Sequence, residues 1–138
     1  MATITEDYAS FETAKLLKDK GFDEPCFCIN YPLPEGEHHN IILTNLLNNS
    51  MIPFTSEYKF CRYKEDFITI PTLQMTMKWL REVHNLYIDI RININNSLHS
   101  FRIYSVGISG ARAFTEYRIK SCEAACEEAI LYCLKKLI

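Results

Sequence analysis

The sequence predicts an α+β fold: a mostly antiparallel sheet with a three-strand meander packed against helices, in the order α-β-β-α-β-β-β-α. Three observations carry this expectation. Residues 71–84 and 121–137 place apolar side chains at helical spacing. Between them, three strand-like stretches follow one another with only turns in between. An uninterrupted run of strands beside helices points to α+β, whereas a parallel sheet needs strands and helices in alternation.

The first helix is expected from Ser10. Its hydroxyl can cap the free N–H groups of the first turn, and Glu12 suits the positive end of the helix dipole. Phe11, Ala14 and Leu17 set the helical pattern, and Gly21 is the stop, with Phe22 folding back on Leu17. Residues 26–31 read as a strand with Cys26 and Cys28 on one face and Phe27, Ile29 and Tyr31 on the other. Residues 32–56 form a variable, loop-rich segment, in which Ile41 to Leu47 is a strand or a helical turn. Tyr58 to Lys64 reads as a strand, and Phe67 to Ile70 as another or a lead-in.

Pro71 opens the middle helix, because a proline loses nothing in the first turn. Leu73, Thr76, Met77, Leu80 and Val83 form its stripe, with Trp79 beside it, and His84 and Asn85 mark its end. Leu86, Ile88, Ile90, Ile92 and Ile94 then alternate with Tyr87, Asp89, Arg91 and Asn93, giving one buried and one solvated face. Asn95, Asn96 and Ser97 turn the chain into a strand over Phe101 to Ile108. Gly107 to Gly110 turns it again into a third strand, Ala113 to Lys120, with Tyr117 and Ile119 buried. Ser121 caps the last helix, whose apolar face runs through Ala125, Cys126, Ala129, Ile130, Cys133, Leu134 and Leu137.

A length of 138 residues predicts one domain, 1–138. With 48% hydrophobic and 23% charged residues, the chain can bury a core without disulfide or metal. The formal net charge of −2 argues against a general nucleic-acid coat, which depends on excess Lys and Arg. The first residues carry neither a basic nor an apolar region of a signal peptide, and no apolar run approaches the ~18 residues of a membrane span. A cytoplasmic location is therefore expected, and the six cysteines are read as reduced thiols.

Three stretches carry a resemblance: Phe11 to Cys26 (FETAKLLKDKGFDEPC), Pro71 to Asn85 (PTLQMTMKWLREVHN) and Ser121 to Leu134 (SCEAACEEAILYCL). Together they resemble a family of small uncharacterised proteins of phages and integrated mobile elements of gut bacteria. The resemblance implies a setting, an accessory protein of such an element, and assigns no residue a role.

No catalytic, cofactor-binding or metal-binding residue is expected. Cys26-x-Cys28 lacks the two-to-four-residue separation of zinc ligand pairs, and small apolar thiols on a buried strand account for it. Cys122, Cys126 and Cys133 fall on one helix stripe as packing residues, although Cys122 stands at a helix N-terminus, where thiolates are stabilised. Glu123, Glu127 and Glu128 read as solvated charges on a helix opposite its apolar face. Walker A, dinucleotide and nucleophile-elbow signatures are lacking, and four glycines leave little material for phosphate loops. An enzyme is not expected.

The remaining signal is aromatic and basic. Tyr58, Arg62 and Tyr63 interleave with further cations, and the meander adds Tyr87, Arg91, Arg102 and Tyr104 on its non-core face. Such a face can meet a protein, since Tyr and Arg are enriched at interfaces. It can also stack the bases of a single strand, or be an ordinary amphipathic strand pattern. A protein partner is the first expectation, single-stranded nucleic acid the alternative, and no membrane association is expected.

Overall fold

A computed structural model describes residues 7–26, 28–32, 38–42 and 68–138. In chain order the elements are α1 (Phe11–Asp19), β1 (Cys28–Pro32), β2 (His38–Ile42), β3 (Ile68–Ile70), α2 (Leu73–His84), β4 (Leu86–Ile92), β5 (His99–Ser105), β6 (Ala113–Phe114) and α3 (Cys122–Tyr132). A π-helical turn, Cys133–Leu137, extends α3. The class is α+β, with two antiparallel three-stranded sheets, β2-β1-β3 and β4-β5-β6. They fall in two compact units, Tyr8–Thr72 and Met1–Asp7 with Leu73–Ile138.

In the unit Tyr8–Thr72, α1 follows its capping chemistry. The Ser10 hydroxyl accepts from the Thr13 N–H at 3.2 Å. At the other end Gly21 takes φ +90°. The Gly21 N–H donates to Lys18 O at 3.1 Å and the Phe22 N–H to Leu17 O at 2.9 Å, the paired bonds of a Schellman ending. Leu17 and Phe22 are both buried, as expected for the apolar contact that accompanies this ending. β1 pairs with β2 and β3, with Cys28 opposite both Ile42 and Ile70. Ala14 of α1 joins Cys28 and Ile70 in the core, with Tyr8 and Ile68 against them. The loop-rich segment thus contributes a strand, β2, in which Ile41 and Ile42 are extended. The expected strand at Tyr58 to Lys64 lies outside the described residues.

The other unit holds the meander. β4 and β5 pair in unbroken register from Leu86↔Ser105 to Ile92↔His99. The connecting turn uses its asparagines as backbone substitutes. Asn93 Oδ1 accepts from the Asn95 N–H and Asn96 Oδ1 from the Leu98 N–H, both at 3.0 Å, while Ser97 takes φ 59°. At the next turn Gly107 has φ 82° and the Ile108 N–H reaches Ser105 O at 3.3 Å, the conformation of a type II turn. α3 packs on β4 and β5, and α2 packs on β4 and α3. The buried residues are Leu86, Ser100, Phe101, Ile103 and Ile119 of the meander, Leu73, Thr76, Trp79 and Leu80 of α2, and Ala125, Cys126, Ala129, Ile130, Cys133 and Leu134 of the last helix. Burying each large aliphatic side chain contributes about 1.5–3 kcal/mol.

Several expectations are corrected. α2 begins at Leu73 and not at Pro71, whose carbonyl accepts from the Ala9 N–H. Val83 is exposed and Trp79 is buried in its place, because the helix turns its 73/76/80 side inward together with position 79. The apolar alternation of β4 outlasts its burial, since Ile92 and Ile94 are 51% and 87% exposed. β5 spans His99–Ser105, which leaves Val106 and Ile108 exposed in the following turn.

The third strand is broken. Phe114 pairs with Arg102 and Ile119 with His99, so three steps on β5 face five on the returning chain. The extra residues form a bulge, where Thr115 Oγ1 takes the Phe101 N–H in place of a carbonyl. The bulge returns Ile119 to the core, and Tyr117, expected beside it, is 41% exposed.

Candidate interaction surface

Alternation fixes which meander side chains face away from α2 and α3. Phe101 and Ile103 point to the core, so Arg102 and Tyr104 point outward. The register then places Tyr87 directly opposite Tyr104, Asp89 opposite Arg102, and Arg91 opposite Ser100. On the far side of β5, Arg102 is also opposite Phe114. Tyr87, Arg91 and Arg102 are exposed, and Tyr104 and Asp89 are half-buried. Four of the seven sequence-predicted residues, Tyr87, Arg91, Arg102 and Tyr104, are therefore brought onto one face. Tyr58, Arg62 and Tyr63 lie outside the described residues.

Three members of this face were not singled out from sequence. Phe114 is 69% exposed beside Arg102, and Tyr117 lies close enough to Arg91 for its phenol to act on the guanidinium charge. The third is Asp89. Its Oδ2 accepts from Arg91 Nε at 2.8 Å. This bond, and then the carboxylate charge, push the Arg91 guanidinium still further toward its protonated form, with smaller contributions from Tyr104 and Tyr117. Asp89 was legible as a same-face neighbour two residues before Arg91. Phe114 and Tyr117 required the β5–β6 register and the bulge.

The face is thus aromatic at its margins and of mixed charge at its centre. One carboxylate lies beside one guanidinium and across from another.

An open groove of about 420 Å³ lies at the edge of the same sheet, lined by Arg112, Phe114, Thr115, Arg118, Glu128 and Tyr132 among others. Arg118 is paired with Glu128, which ties the returning chain to α3, and Arg112 donates to Ser105 Oγ at 3.0 Å. Its lining includes neither a thiol nor an imidazole, so a nucleophile–base pair of the Cys–His or Ser–His kind is not assembled there.

Among the described cysteines, Cys122 is exposed and Cys26, Cys28, Cys126 and Cys133 are buried. Burial pushes the Cys26 thiol up to about 11 and those of Cys126 and Cys133 up to about 12. The Cys26 thiol donates to Glu24 O at 3.3 Å. No three His, Cys, Asp or Glu side chains among the described residues are grouped to hold a metal ion. Trp79 is buried with its ring edge-on to His84 at 4.7 Å, and so belongs to the core. No helix among the described residues is long and apolar enough to cross a membrane.

Comparison of the chain with protein-family models, with curated proteins and with solved structures finds no match to any of them.

Proposed function

We propose that this chain is a non-enzymatic protein-binding module that meets its partner through the outer face of the β4-β5-β6 sheet, and that it serves as a cytoplasmic accessory protein of a phage or mobile element. The observation that carries the reading is the exposed set Tyr87, Phe114 and Tyr117 around the Asp89–Arg91–Arg102 centre. Exposed aromatics supply contact area at low entropic cost, and planar guanidinium groups supply directional donors. Asp89 favours a protein over a nucleic acid. A phosphate backbone would have to approach a carboxylate that already occupies Arg91, whereas a protein can offer both signs of charge. The setting rests on the sequence resemblance alone.

The test compares the native chain with a Tyr87→Ala/Tyr104→Ala double variant in two assays. One is recovery of partners from bacterial host lysate, and the other is binding of a labelled single-stranded oligonucleotide at low and moderate salt. The reading expects a partner protein held by the native chain and lost from the variant, with no oligonucleotide binding. Salt-sensitive oligonucleotide binding that the variant loses would replace the protein partner with nucleic acid. A partner retained equally by both chains would remove this face from the function.

A further inference from the structure

We infer that, on the reading that this sheet meets a protein partner, the groove between β6 and α3 receives an acidic peptide segment of that partner. The segment sets a carboxylate on Arg112 and Arg118 and lays an adjacent apolar side chain between Phe114 and Tyr132.

The shape of the groove follows from its residues. One wall is the chain entering β6, where Ala111 and Ala113 project only methyl groups. Thr115, next on that wall, has its Oγ1 engaged by the Phe101 N–H at 3.1 Å. The buried Phe101 closes the floor. The facing wall is α3, whose Glu128 and Tyr132 are one helical turn apart and so share a side. The volume of about 420 Å³ holds a few side chains.

Charge selects the occupant. The whole chain carries a net charge of −2, yet the groove sets two guanidinium groups against one carboxylate. Arg118 is paired with Glu128, a bond that links the two walls. Arg112 donates from Nη1 to Ser105 Oγ at 3.0 Å. That partner is a neutral hydroxyl, so the bond orients the guanidinium without offsetting its charge. A guanidinium is a planar fork of five N–H donors that matches a carboxylate in bidentate fashion. An incoming carboxylate therefore meets an oriented fork at Arg112 and a second positive group at Arg118. An incoming cation meets Glu128, whose charge Arg118 already offsets.

The apolar part of the ligand is specified by the rim. Phe114 and Tyr132 are 69% and 38% exposed, and both border the groove. Phe114 is also opposite Arg102 on β5, so one ring borders both the groove and the outer face of the sheet. A segment seated in the groove is thereby continuous with the surface around Arg102 and Tyr87. Arginine and aromatic side chains at such a junction are the residue types on which interfaces concentrate their energy.

The test is an NMR titration of the nitrogen-15-labelled full chain with a blocked peptide, Gly-Leu-Glu-Glu-Leu-Gly. The same peptide with lysine in place of glutamate is the control. A contact this small predicts dissociation on the order of 1 mM, so the titration runs to about 5 mM. The acidic peptide should give saturable shifts at residues 111–115 and 128–132, and the lysine peptide none. Arg112→Gln keeps an amide donor for Ser105 but removes the charge, and should weaken binding about tenfold. Ala111→Trp fills the groove with both arginines retained, and should abolish binding. Glu128→Gln releases Arg118 and removes a repelling carboxylate, and should tighten binding about threefold or more. Unshifted amides elsewhere in each variant show that the fold is kept. Absence of shifts up to about 5 mM overturns the inference, as do equal shifts with the lysine peptide or binding unchanged by Ala111→Trp. Recovery of a partner from lysate separates this result from the broader reading. A partner lost from Tyr87→Ala/Tyr104→Ala but held by Ala111→Trp and Arg112→Gln leaves the outer face as the interface and overturns the groove. Acidic peptide in the groove, with a partner indifferent to the tyrosines but lost from Ala111→Trp, supports the groove and removes the outer face.

Discussion

Ile103 offers the most direct test of the core beneath the candidate surface. It lies at the centre of the middle strand, opposite Ile88 on one side and Ala113 on the other, and it is 0% exposed. Ile103→Val removes one methyl group and should cost about 1 kcal/mol; Ile103→Ala should cost about 3 kcal/mol, the transfer of the lost atoms plus the cavity they leave. With a urea slope of about 1.5 kcal/mol per molar, the alanine variant should unfold about 2 M earlier. Ile94→Ala makes the control, since that residue belongs to the same apolar row of the meander but is 87% exposed. That substitution should change stability by less than about 0.5 kcal/mol. Trp79 is the assay. It is the sole tryptophan, it is buried, and it sits on α2, which packs against β4 and α3 in the same unit as Ile103. Its fluorescence therefore reports the unfolding of this unit. Equal costs for Ile103→Ala and Ile94→Ala would refute the reading that this apolar row is covered at Ile103 and uncovered at Ile94.

Two further predictions follow from particular residues. Gly21→Ala should destabilise by about 1 kcal/mol, measured by urea unfolding. A Cβ at Gly21 would meet nothing within 4 Å, so the cost comes only from holding φ +90° with a side chain. The buried thiols set an alkaline limit. In the fold Cys133 titrates near 12, whereas an ordinary thiol titrates at 9.0, so above pH 9 the unfolded chain binds fewer protons than the folded one. Stability should thus be fully present below pH 9 and be lost as pH rises through the window up to about 12. Cys133→Ala should flatten the fall in unfolding free energy between pH 8 and pH 10 by about 1 kcal/mol, and an unchanged slope would show that this thiol is not desolvated.

Much of the fold was legible because local chemistry decides local structure. Ser10 and Ser121 cap their helices through bonds to backbone N–H groups three residues on. Gly21 and Asn85 stop theirs at positive φ. The alternation from Leu86 and the Asn-rich turn specify a hairpin, since a period of two and side-chain amides that replace backbone partners both act within a few residues. The outer positions of Tyr87, Arg91, Arg102 and Tyr104 follow from the same alternation.

Tertiary structure decided what periodicity leaves open. Alternation shows that two faces differ, but burial ends where the covering helices end, and so Ile92 and Ile94 are exposed although the sequence continues its pattern. Val83, expected in the stripe, is exposed and Trp79, expected beside it, is buried, because the width of a buried helix face depends on what packs against it. The bulge between Phe114 and Ile119 sends Tyr117 outward, an outcome of pairing with a strand more than ten residues away. The charge of the candidate surface was settled in the same manner. The sequence determined that aromatic and basic residues share a face. Only the register, by setting Asp89 across from Arg102 as well as beside Arg91, placed a carboxylate between two guanidinium groups, because charges interact through the space that folding places between them and not through their order along the chain.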